Sequence, residues 1–267
     1  MQDPRISDLR AIIREMESVL VAFSGGVDSA LVLKIAHEEL GKKAVAFTAI
    51  SPTFPPEEQE QAQVFTKKWG ISHLLVDSYE LERDEYAENR GDRCYFCKDE
   101  LFELAQKTAV QSGYRFVADG TIVDDLGDHR PGLQAASEHS IRHPLLEANF
   151  DKVLVREFAL DLGLPTWNKP SFACLGSRFS VGTRVTLDRL KQVQAVESFL
   201  RLIGVRQFRA RWHMLEKKSM LRIEVSKEDM PLLFSEGIRE SLNDVAQEQG
   251  FHWVTLDLIA YGEPRTR

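Results

Sequence analysis

The sequence predicts an α/β protein: a doubly wound parallel sheet, followed by a second, smaller α+β domain. Two observations carry this. Short apolar runs at residues 19–23, 45–50 and 72–76 alternate with stretches of helical period, and such alternation builds a parallel sheet with helices on both faces. Beyond about Pro165 the alternation gives way to one long helical pattern, two neighbouring strand patterns, more helix and a last strand.

Taken in order, residues 7–16 read as an amphipathic helix with Leu9, Ile12, Ile13 and Met16 on one face. Residues 19–23 form a buried-type strand, Ser24-Gly25-Gly26-Val27-Asp28-Ser29 breaks it, and a helix runs from Ala30 to a stop at Gly41. The strand at 45–50 leads into the loop 51–56, at the strand end where open α/β sheets bind ligands. A helix at 57–69 stops at Gly70, and a strand follows at 72–76. Residues 77–93 are acidic and irregular and deliver Cys94-Tyr95-Phe96-Cys97, after which a helix is expected from about 98 to 112. A strand at 116–119, a loop at 120–132 carrying Asp124, Asp125, Asp128 and Arg130, and a helix at 151–162 complete a domain at 1–165. The second domain, 166–267, opens with a long connection to residue 186 that holds Cys174. A helix at 187–203, strands at 207–213 and 220–225, helix over most of 230–250 and a strand at 253–258 follow.

Composition narrows the function classes. With 267 residues, 43% hydrophobic and 28% charged, the chain buries a substantial core without staples. No apolar run approaches the roughly 20 residues of a membrane span, and the first ten residues are too polar for a signal peptide, so a cytoplasmic protein with no membrane partner is expected. A net charge of -7 argues against nucleic acid as a partner. Three cysteines, an odd number, point to metal or sulfur chemistry rather than a disulfide framework.

The candidate chemistry starts at Ser24–Ser29. Two glycines between a strand and a helix let the backbone turn its N–H groups onto a phosphate, with the helix dipole behind them. Ser24 and Ser29 add hydroxyls. Asp28 would hold a Mg²⁺ bridging phosphate oxygens, or cap the helix. Cys94 and Cys97 form a C-x-x-C that suits half a zinc site, a redox pair or two buried thiols. Together with Cys174 they also number the three thiolates of a 4Fe-4S cluster with one open iron. Lys169 and Arg178 flank Cys174 and would favour its thiolate; Arg178 equally suits a phosphate clamp. Arg209, Arg211 and His213 alternate along one strand and so share a face, a candidate phosphate cradle, with Arg222 and Glu224 sharing a face of the next. Glu197 and Asp229 are carboxylates available to a second metal ion.

The six residues 24–29 resemble the PP-loop, SGGxDS, of the ATP pyrophosphatases, which lacks the Lys-Ser/Thr ending of a Walker loop. Over nearly its full length the chain resembles the LarE family of sulfur transferases. The residues that carry this are the loop itself, Asp119-Gly120 with D-x-R-P-G at 128–132, W-N-K-P with C-x-x-S-R at 167–178, R-x-R-x-H at 209–213 and VTLDL at 254–258. The resemblance implies an adenine nucleotide alpha hydrolase-like fold and an ATP- and Mg²⁺-dependent enzyme. Its small-molecule nucleotide substrate would be pyridinium-3,5-biscarboxylic acid mononucleotide, a precursor of the nickel-pincer cofactor of lactate racemase, and the assembly a homo-oligomer, a hexamer. Within that family, members with three cysteines are implied to bind a 4Fe-4S cluster and turn over, so Cys94, Cys97 and Cys174 are the expected ligands. Ser24, Gly25, Gly26, Asp28, Ser29, Arg130, Arg178, Arg209 and Arg211 are the expected nucleotide-binding and substrate-binding residues, with Cys174 and Asp28 in the chemistry. A tRNA thiolase, a ligase resembling NAD or GMP synthetase, and a non-enzymatic AMP-binding protein with structural zinc are the competing readings.

Overall fold

A computed structural model describes residues 3–127 and 131–263; Asp128 and Arg130 lie outside the described residues. The chain divides into two compact units, residues 1–80 with 92–172, and residues 81–91 with 173–267. The division therefore falls after Phe172 rather than at Pro165, and the second unit also takes a short piece from the first half of the chain. The physical reason is hydrogen bonding between this piece and residues 179–185: the Asn89 side-chain amide donates to the carbonyls of Phe179, Ser180 and Thr183, and Val185 N–H donates to the Ala87 carbonyl.

The first unit is built from α1 (Pro4–Glu15), β1 (Val19–Ala22), α2 (Val27–Leu40), β2 (Ala44–Ile50), α3 (Pro56–Trp69) and β3 (His73–Asp77). The chain continues through α4 (Asp84–Ala87), which belongs to the second unit, and returns for α5 (Arg93–Ser112), β4 (Phe116–Ala118), α6 (Pro131–Glu138), α7 (Pro144–Glu147) and α8 (Lys152–Asp161). All four strands are parallel, in the order β3-β2-β1-β4, with Val19 opposite both Ala44 and Phe116. The apolar run 19–23 needs no polar face because both faces are covered. Val19, Val21, Ala44 and Ala46 pack with α1, α2 and α8, while Leu20, Ala22, Val45 and Phe47 pack with α5 and α6. β1 has β2 on one side and β4 on the other, so the topological switch point, where ligands of such sheets bind, lies between β1 and β4.

Two local expectations change. The helix after the acidic stretch begins at Arg93, with Asp92 as its N-cap and Tyr95 N–H on the Asp92 carbonyl, so Cys94 and Cys97 sit on its first turn instead of before it. The expected loop at 120–132 gives way, at Pro131, to α6, whose Ala135 and Ala136 are buried.

The second unit holds α9 (Leu187–Leu202), β5 (Phe208–Leu215), β6 (Lys218–Val225), α10 (Met230–Leu233), α11 (Ile238–Glu248) and β7 (Trp253–Leu256). β5 and β6 are antiparallel, β6 and β7 parallel. The stretch 230–250 is two helices rather than one, interrupted where Gly237 adopts φ +82°. No described helix is long and apolar enough to cross a membrane.

Candidate active site

The loop 24–29 is a local turn held by its own hydroxyls. Ser24 Oγ lies 3.2 Å from Ser29 Oγ, Gly26 N–H donates to Ser24 Oγ at 3.4 Å, and Ser29 Oγ donates to the Gly26 carbonyl at 3.3 Å. Gly25 takes φ +73°, and a Cβ there would touch Ala62 Cβ at 3.5 Å, so the loop is pressed against α3. Gly26 is the N-cap of α2 and brings no side chain to its N–H groups, which leaves a helix N-terminus able to receive an anion.

Asp28 is inside the first turn of α2, not at its cap. Both its oxygens accept from Lys152 Nζ at 2.7 Å, so the capping role is excluded and the carboxylate is held by a cation that the sequence did not single out. A second unanticipated contact fixes the loop from the opposite side of the chain: Lys169 Nζ donates to Glu58 at 2.7 Å and to the Gly25 carbonyl at 3.1 Å. Arg156 in turn holds the backbone carbonyls of Trp167 and Lys169. Lys169, expected to serve a thiolate, therefore has its ammonium engaged by Glu58 and the phosphate loop. A cleft of about 540 Å³ opens beside Gly25, walled by Val64, Phe65, Pro165 and Lys169.

None of the three cysteines is in a disulfide: Cys94 is exposed, Cys97 and Cys174 are half-buried. Cys94 and Cys97 are three residues apart on the first turn of α5 and so share a face. Among the described residues no group of three or more His, Cys, Asp or Glu side chains is arranged to hold a metal ion. Cys174 belongs to the second unit and caps the short 3-10 turn Leu175–Arg178.

Arg178 differs from the phosphate clamp expected of it. It is fully buried, its Nε and Nη2 donating to Glu197 at 2.7 and 2.9 Å, while Nη1 donates to the carbonyls of Ala173 at 2.8 Å and Cys174 at 3.1 Å. A guanidinium with no access to water and a full set of partners holds the backbone of the cysteine turn instead of a phosphate. Glu197 is committed as well, with both oxygens on Arg178 and one also accepting from Ala210 N–H, while one oxygen of Asp229 accepts from the Arg206 and Gln207 N–H groups.

The β5 alternation places Arg209, Arg211 and His213 on one face, opposite Glu224, Arg222 and Met220 of β6. Arg211 donates to Glu224 at 2.9 Å and to the Ser177 carbonyl at 2.7 Å; Arg222 pairs with Glu224 and Asp257. Arg209 is buried, donates to Tyr261 Oη at 3.0 Å and lies over that ring. Burial and the neighbouring Arg178 push the Arg209 guanidinium down, and burial with Arg222 and Arg211 pushes His213 down, so His213 is neutral at pH 7. The face is cationic on balance but internally paired.

A family model described as NAD synthase matches residues 8–103, the part that contains the loop and the first three strands. An uncharacterised protein of Synechocystis sp. is 42% identical, covering 98% of this chain and 96% of its own. The pyridinium-3,5-bisthiocarboxylic acid mononucleotide synthase of Lactiplantibacillus plantarum is 37% identical over 96% of this chain and 91% of its own. A GMP synthase of Aliarcobacter butzleri is 27% identical over 56% of this chain and 32% of its own. With identity at that level along both full lengths, the chain belongs to the LarE family, the pyridinium-3,5-bisthiocarboxylic acid mononucleotide synthases of the PP-loop superfamily.

Proposed function

We propose that this chain uses ATP to adenylate a carboxylate of pyridinium-3,5-biscarboxylic acid mononucleotide, releases pyrophosphate, and replaces AMP with sulfur to give the thiocarboxylate. The observation that carries the reading is the uncapped start of α2 behind Gly25 and Gly26, in a chain of this family that also has three cysteines outside any disulfide.

The chemistry divides among the residues. A carboxylate resists sulfur nucleophiles because it is anionic and has no leaving group; adenylation supplies AMP as one. The N–H groups at the start of α2, with Ser24 and Ser29, would grip the phosphates and stabilise the departing pyrophosphate. Asp28 would be the hard oxygen donor for the Mg²⁺ that accompanies ATP, and Lys152 pairs with its carboxylate. Arg209 and Arg211 are our choice for the substrate phosphate, and Arg178 with Glu197 positions the Cys174 turn. Arg130 remains a candidate on its motif alone.

Thiolate sulfur is the ligand such clusters take, and Cys94 and Cys97 on one helix face, with Cys174, would hold a 4Fe-4S cluster; when bound it would supply an open iron able to carry the sulfide that is transferred. A cytoplasmic homo-oligomer, a hexamer, completes the proposal.

Anaerobic purification with iron, sulfide and zinc analysis tests the cluster, and stoichiometric zinc without iron would remove it. Substrate-dependent ATP–pyrophosphate exchange tests the adenylation. A Cys174→Ala variant that still turned over with ammonia as acceptor would favour a ligase like the GMP synthases.

A further inference from the structure

We infer that His143 is the acid–base group that takes the proton from the attacking sulfur, with Asp119 as its positioning residue. The inference deepens the sulfur-transfer reading above and rests on it.

Topology puts the pair at the ligand-binding end of the sheet. Arg142 bridges Ala118 in parallel, with Arg142 N–H on the Val117 carbonyl and Asp119 N–H on the Arg142 carbonyl. His143 thus leaves the carboxyl end of a fifth strand position beside β4, where Asp119 leaves β4 itself. Gly120, the next residue, ties this corner to the phosphate loop: a Cβ there would lie 2.6 Å from Ser29 N, so nothing but backbone separates the two.

The dyad geometry then fixes the imidazole's role. Nδ1 lies 2.7 Å from Asp119 Oδ1, and the same carboxylate accepts from Thr121 N–H and Oγ1, both at 3.0 Å. Asp119 is 6% exposed. Burial alone would raise its carboxyl, yet the bond from His143 and the charge of Lys98 hold it below the ordinary range, so it is an anion at neutral pH. An acceptor-only carboxylate on Nδ1 puts the neutral ring's proton there and leaves the Nε2 lone pair free to accept another. Nε2 has no partner among the described residues, and the side chain is 18% exposed. This is the orientation logic of a base held by a buried acid. Lys98, whose charge reaches Asp119, directly follows Cys97 in α5, which connects the dyad to the thiol turn as well as to the phosphate loop. The other charges around His143 are Glu147, which accepts its backbone N–H at 3.0 Å, and Arg142 paired with Glu147.

With hydrosulfide as the sulfur donor the step balances as follows. A carbon–sulfur bond forms at the acyl adenylate, the carbon–oxygen bond to AMP breaks, AMP leaves with the electron pair, and the S–H proton passes to His143 Nε2, leaving a thiocarboxylate anion.

The test uses the full chain with ATP, the pyridinium dicarboxylate mononucleotide and sodium hydrosulfide. His143→Gln is expected to keep ATP–pyrophosphate exchange within about twofold, which also shows that the variant folds. It should slow thiocarboxylate formation by about 10²-fold or more and lose the acidic limb of that rate's pH profile. Asp119→Asn should move the limb to lower pH. Exchange together with an unchanged pH profile in His143→Gln overturns the inference alone, as does an imidazole NMR assignment of the Nε2–H tautomer in the unaltered protein. No exchange by the unaltered protein removes the sulfur-transfer reading and takes the inference with it.

Discussion

Lys152 Nζ sits 2.7 Å from each carboxylate oxygen of Asp28, joining the first turn of α2 to the first turn of α8 across 124 residues of sequence. The pair is partly exposed, so its contribution to stability is small, of order 0–1 kcal/mol. Its importance is for the charge beside the phosphate loop. Asp28→Asn is expected to lower substrate-dependent pyrophosphate release by about 10²-fold while shifting the melting temperature by no more than a few degrees. Pyrophosphate assays beside a thermal melt check it; full activity would remove Asp28 from the chemistry.

The Arg178–Glu197 pair predicts the opposite balance. Removing one partner of a fully buried ion pair strands the other charge, so Arg178→Met is expected to cost about 3–5 kcal/mol, measured by urea unfolding. Adding Glu197→Gln should restore a good part of that loss.

Gly25, within the phosphate loop, and Gly120, packed against it, should differ in tolerance. At Gly25 a Cβ fits at 3.5 Å but φ is +73°, so Gly25→Ala is expected to cost about 1–2 kcal/mol of backbone strain. At Gly120 a Cβ meets the backbone of Ser29 at 2.6 Å, which cannot yield without moving the start of α2. Gly120→Ala should therefore destabilise by about 2–3 kcal/mol and weaken ATP binding more than Gly25→Ala does, as read by unfolding and by nucleotide titration.

His73 supplies a pH dependence. It sits between Thr48 Oγ1 at 2.8 Å and Thr66 Oγ1 at 3.2 Å, and burial lowers its pKa from 6.5 to about 4. The unfolded chain binds that proton near pH 6.5 and the folded one only near 4, so the contribution is fully present above 6.5 and lost as the pH falls through that window. Urea midpoints at pH 7.5 and 4.5 should differ by more in the unaltered protein than in His73→Gln. The difference should be of order 1–2 kcal/mol once screening is allowed for.

What was legible in the sequence is what depends on local pattern. The apolar run at 19–23, the six residues after it and the alternation of Arg209, Arg211 and His213 each state their geometry within a few residues, and the strands and shared face follow. What escaped depends on distant partners. Nothing near Lys152 announces Asp28, nothing near Arg178 announces Glu197, and His143 gains its meaning only when the chain returns beside β4. The start of α5 was missed for a local reason: the aromatic and cysteine residues at 94–97 do not resemble a helix opening, and Asp92 caps it through the backbone alone.

Because residues 81–91 belong with the second unit, the polypeptide passes between the two cores three times, at 80/81, 91/92 and 172/173. A single cut cannot separate them. A fragment ending at Phe172 would carry residues 81–91 without the carbonyls that Asn89 holds, and its complement would lack the Asn89 amide. The halves of this enzyme are therefore poor candidates for recombination by simple fusion. A functional exchange with a relative would have to move two segments together.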